Sequence, residues 1–126
     1  MRIFTAINDF FRNVRYGIWN IIQWTPIIWR DRDWDWYYLS RIMEFKLRKM
    51  NKAFVKYGHH VGSERDARQM LICAELLKRL QDDDAEDFSK QRDDWRNYYK
   101  LHEIRMKEWQ EMFGKYMGKF LRNWWD

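Results

Sequence analysis

One cysteine, one proline and five glycines are all that 126 residues contain of the types that staple, break or loosen a chain. A lone Cys73 excludes an internal disulfide, and with no cleavable signal pattern in view a reducing cytosol is the expected setting. The longest apolar run, Tyr16 to Trp29, is interrupted by Asn20, Gln23, Thr25 and Pro26 and is too short to span a bilayer as a helix. No segment shows the strict alternation, Asn-Gly turn or β-branched enrichment of a strand, and no internal repeat or low-complexity linker is visible. Also missing are a Walker loop, a dinucleotide-binding glycine pattern, a nucleophile elbow and a Cys-x-x-Cys pair, so nothing in the chain announces an enzyme. His59 and His60 are adjacent and would point apart on regular structure, and Asp82 to Asp87 lacks the spaced oxygens and central glycine of a calcium loop. No metal or other cofactor is therefore expected.

What is abundant is aromatic rings and charge. Nine Trp, seven Tyr and eight Phe supply flat apolar surface for core, interface or stacking. Lys and Arg total 24 against 19 Asp and Glu, a net charge of +5 that favours anionic partners, although the two signs are interspersed. The length suits one domain with one core, 1–126.

Helical periodicity runs through the chain. Ile3, Ile7, Phe11, Val14, Ile18 and Ile21 step by three and four, which predicts an amphipathic helix, and Pro26 predicts its end near Gln23 to Thr25. Asp31 or Asp33 can cap a second helix carrying Trp36, Leu39, Met43, Leu47, Met50, Phe54 and Tyr57, with Gly58 ending it in a left-handed conformation. Its outer face is basic, through Arg41, Lys46, Arg48, Lys49, Lys52 and Lys56. Ser63 and Asp66 resemble a capping box opening a third helix, and the triple acid Asp82 to Asp84 predicts a turn between Leu80 and Asp84. From Ala85 to Asp126 the apolar face would make a helix about 60 Å long, whereas a compact chain of this size has a radius of gyration near 14 Å. Either that helix breaks around Gly114 and Gly118 or another subunit covers it. The expected fold is an all-α helical bundle of about four helices with a long C-terminal helix, completed by homo-oligomerisation.

The stretch most suited to recognition is Trp29 to Tyr38, where rings alternate with charges of both signs. Arg30, Arg32 and Arg41 could clasp a phosphate while a base stacks on Trp34, Trp36 or Tyr37, with His59 and His60 as further candidates at the turn after the second helix. The competing reading assigns the aspartates to caps, the arginines to neutralising them and the rings to core or subunit interface.

Trp29-Arg30-Asp31-Arg32-Asp33-Trp34-Asp35 together with the terminal Trp124-Trp125-Asp126 resembles a family of short uncharacterised tailed-bacteriophage proteins. Lys46-Leu47-x-x-Met50 and Leu76-Leu77-x-Arg79-Leu80-x-Asp82-Asp83 are similar to that family as well. The resemblance implies an accessory protein working in the cytoplasm of an infected bacterial host. By analogy with small phage proteins that counter host defences, the expected function is sequestration of an anionic, nucleotide-like immune signal without catalysis. A protein–protein inhibitor or scaffold acting through the aromatic surface on a host protein is the alternative, and nucleic-acid binding by the basic face of the second helix is a third.

Overall fold

In the computed structural model, which describes residues 2–58, 61–84 and 95–124, the protein is all-α. Among the described residues four helices follow in order, α1 (Arg2–Arg30), α2 (Trp36–Tyr57), α3 (Ser63–Asp84) and α4 (Trp95–Phe120), and a 3-10 turn, Leu121–Asn123, follows α4. The chain divides into two compact units, Met1–Asp33 and Trp34–Asp126.

The first unit is α1, which does not stop before its proline as the sequence predicts. It runs 29 residues with Pro26 inside it. A proline removes one amide donor and crowds the preceding turn; beside it Thr25 Oγ1 donates to the Ile21 carbonyl. Asp31 N–H donates to the Ile28 carbonyl at 3.1 Å where the helix finishes. α1 contains no buried residue.

The second unit holds the core. α3 is its central helix, packing on α2 and on α4. Ala67, Met70, Cys73, Ala74, Leu77 and Leu80 of α3 meet Leu47 and Phe54 of α2, and Met106, Trp109, Phe113 and Phe120 of α4 pack against the same cluster. The predicted α2 stripe is therefore core only in its middle: Trp36, Leu39 and Tyr57 at its ends are exposed. Arg48 ties α2 to α3, donating to Glu44 at 2.7 Å and to Glu75 at 2.9 Å. Burial would lower its pKa, yet the two carboxylates outweigh that and raise it.

Several helix ends differ from expectation. The cap of α2 is Asp35 and not Asp31 or Asp33, because α1 extends to Arg30 and Asp35 is the acid that directly precedes the first helical residue. Its extended backbone turns the carboxylate back to accept the Tyr37 N–H at 3.3 Å. Gly58 does end α2, but at φ −68°, so no left-handed residue is involved. Glycine is required there for space, since a Cβ would lie 2.3 Å from the Phe54 carbonyl oxygen and 2.8 Å from Ser63 Cβ. The left-handed residue is Gly62, at φ 88°, whose carbonyl accepts the Asp66 N–H. Ser63 is already helical. α3 continues through Leu80, where a turn was expected, to Asp84, because Leu80 and Gln81 are buried and hold that last stretch in place. Likewise α4 passes unbroken through Gly114 and Gly118 for 26 residues, roughly 39 Å. The residues around them, Phe113, Tyr116 and Met117, pack on the core and fix the helix. Trp124 then docks on α3, 7% exposed, with Nε1 donating to Gln69 Oε1 at 3.0 Å.

Candidate functional site

The start of α2 carries four consecutive-to-near rings, and the Asp35 cap decides how they face. Once Tyr37 N–H is held by Asp35 and the Ser40 hydroxyl donates to the Tyr37 carbonyl at 2.7 Å, the first turn has one conformation. Residues successive on a helix diverge by about 100°, which places neighbouring rings edge to face. The result is a continuous row. Trp34 meets Tyr38 at 6.5 Å between centroids and 79° between planes, Tyr38 meets Tyr37 at 5.5 Å and 88°, and Tyr37 meets Trp36 at 6.5 Å and 75°. These lie in the range where the positive edge of one ring is attracted to the negative face of the next. Arg41, one turn along, sets its guanidinium carbon 5.9 Å from the Tyr37 centroid.

The middle of the row is half-buried and its ends are open. Trp34 is 77% exposed and Trp36 43%. Tyrosines 37 and 38 hold the two exposed indoles in edge contact, with the Arg41 cation on Tyr37. Such a strip can stack on a planar group or fill a hollow in a partner.

Of the residues expected at the site, Trp34, Trp36, Tyr37 and Arg41 come together here. Arg30 and Arg32 belong to the α1 unit, where Arg32 Nη1 donates to the Asp31 carbonyl at 2.6 Å and to the Trp29 carbonyl at 3.4 Å. That guanidinium sits at the negative end of the α1 dipole and satisfies carbonyls that the helix end leaves open. His59 and His60 lie outside the described residues. Tyr38 was missed by the sequence reading, although its place directly after Tyr37 and one turn from Trp34 was the available signal.

Cys73 has no exposed surface, and its burial pushes the thiol up to about 11, far from a reactive thiolate at neutral pH. Among the described residues no three of His, Cys, Asp and Glu gather in a group that could hold a metal ion, and no helix is long and apolar enough to cross a membrane. No protein-family model, curated protein or solved structure matches the chain.

Proposed function

We propose that this protein is a non-catalytic recognition protein, an inhibitor or scaffold that engages another protein through the aromatic row at the start of α2. The observation that carries this reading is the row itself, Trp34–Tyr38–Tyr37–Trp36 with Arg41 on Tyr37. Trp, Tyr and Arg are the side chains in which binding energy concentrates at protein interfaces. Rings already locked by edge-to-face contacts lose little conformational freedom on docking, so more of their contact energy survives as affinity. In the infected bacterium that the phage resemblance implies, the partner is a host protein whose activity the phage must restrain. Pull-down from such cells, followed by calorimetry on the purified pair, is the test. Trp34→Ala and Trp36→Ala each weaken binding at least tenfold, about 1.4 kcal/mol, while the melting temperature stays unchanged. A partner held equally well by both variants removes the row from the function.

A second reading keeps the small ligand. Arg41 stacked on Tyr37 supplies a cation next to Trp36, so a nucleotide-like anion could place its base on the indole and its phosphate against the guanidinium. Sequestration by this route needs no chemistry. Calorimetry against a panel of cyclic and linear nucleotides decides it: binding that Arg41→Ala abolishes supports it, and silence across the panel ends it.

A further inference from the structure

α1 is a unit by itself, 29 residues long and without a buried residue, so its apolar face is covered by nothing within its unit. Ile3, Phe4, Phe10, Phe11, Ile18 and Trp29 all stand on that face and are all more than half exposed. What covers it can be read from the shape of the stripe and from its charge.

The stripe is straight. Four apolar residues near the start have an apolar counterpart eighteen residues on: Ile3 and Ile21, Phe4 and Ile22, Phe10 and Ile28, Phe11 and Trp29. Eighteen residues are about five turns of an α-helix, so these pairs lie one above the other without drift. A seam made for wrapping around partner helices repeats every seven residues and slides about 20° per heptad around a straight helix. Ile7, Val14, Ile21 and Ile28, with Phe4, Phe11 and Ile18, keep that seven-residue spacing as well, but the whole face is wider than a two-residue seam, and a broad face matches a flat apolar medium. The one interruption, Thr25 eighteen residues after Ile7, spends its hydroxyl on the Ile21 carbonyl.

The charges complete the pattern. α1 carries Arg2, Arg12, Arg15 and Arg30 against Asp9 alone, and none of the five lies on the stripe. Asp9 is paired with Arg12 at 2.8 Å, which leaves Arg2, Arg15 and Arg30 to set the sign of the polar face. Arg15 borders the stripe, and with Tyr16, Ile18, Trp19 and Ile22 it lines a shallow, mostly apolar groove. A guanidinium at the rim of an apolar groove fits a lipid phosphate above acyl carbons. Since no described helix is apolar enough to cross a bilayer, a helix of this kind lies along it.

We propose that α1 is a membrane-surface helix that docks the protein on anionic phospholipid, its aliphatic and aromatic stripe sunk to the level of the headgroups and its arginines on the phosphates. This is independent of the aromatic row of α2. The test is flotation of the full chain with vesicles of phosphatidylglycerol and phosphatidylethanolamine, against vesicles of phosphatidylcholine alone. The protein rises with the anionic vesicles and stays down with the neutral ones. Arg15→Gln combined with Arg30→Gln lowers the bound fraction on the order of tenfold and leaves α1 helical by circular dichroism. Ile18→Asp abolishes flotation, while Asn13→Asp, which adds the same charge off the stripe, changes it only a few-fold. Absence from the floating fraction with both compositions overturns the proposal, as does equal binding to both. So does a stable oligomer that Ile18→Asp dissolves and that vesicles do not compete with, because a second copy then occupies the stripe.

Discussion

Single side chains set the ends of these helices, and each can be tested alone. Asp35 satisfies an amide that α2 would otherwise leave open, and it also orients the aromatic row. Asp35→Ala costs about 1 kcal/mol in chemical denaturation and loosens partner binding beyond that loss of stability. Gly62, at φ 88°, is held where a Cβ is strained, and Gly62→Ala destabilises by about 1 kcal/mol. Cys73 links one residue to pH. Its folded thiol titrates at about 11 against an ordinary 9.0, so the folded state favours the protonated form. The stabilisation is complete below pH 9 and is lost as pH rises toward 11. Denaturation midpoints measured across that window fall in the native protein, and Cys73→Ala flattens the fall.

At the level of elements, the corrections in α3 and α4 share one cause. Proline and glycine report what a backbone prefers in isolation, whereas burial of the side chains around them decides whether a helix continues. Gly114 and Gly118 sit in α4 because Phe113, Tyr116 and Met117 pack on the core, although a glycine in a helix costs up to about 1 kcal/mol relative to alanine. A Cβ built at either glycine meets nothing within 4 Å. Gly114→Ala with Gly118→Ala therefore stabilises the protein by about 1–2 kcal/mol in thermal melts. A loss of stability instead would place another backbone against that face. α1 also continues past Pro26 to Arg30, although none of its residues is buried, so burial is not what carries it there.

For the whole molecule, the buried core lies in Trp34–Asp126 and α1 contributes no buried residue to it. Met70 has no exposed surface and lies at the centre of the α2–α3–α4 packing. Met70→Ala costs about 2–5 kcal/mol, much of a small domain's margin. Ile7→Asp, on the exposed stripe of α1, leaves the unfolding midpoint of that core where it was, as near-ultraviolet circular dichroism on both variants can check.

The all-α class, the four helices and the central stripe of α2 are local properties. They follow from three- and four-residue spacing that any reader of Met43, Leu47, Met50 and Phe54 can see, because the period of a helix is fixed by its backbone geometry. Trp34, Trp36, Tyr37 and Arg41 were legible as a site for the same reason: they fall within two turns of one another. Three things were not local. Which aspartate caps α2 depended on where α1 stopped. Whether the chain turned at Leu80 or broke at Gly114 depended on neighbours distant in sequence. Whether the stripe of α1 would be core or surface could be decided only by packing, since an amphipathic pattern states that a face needs covering and leaves the cover to the tertiary structure.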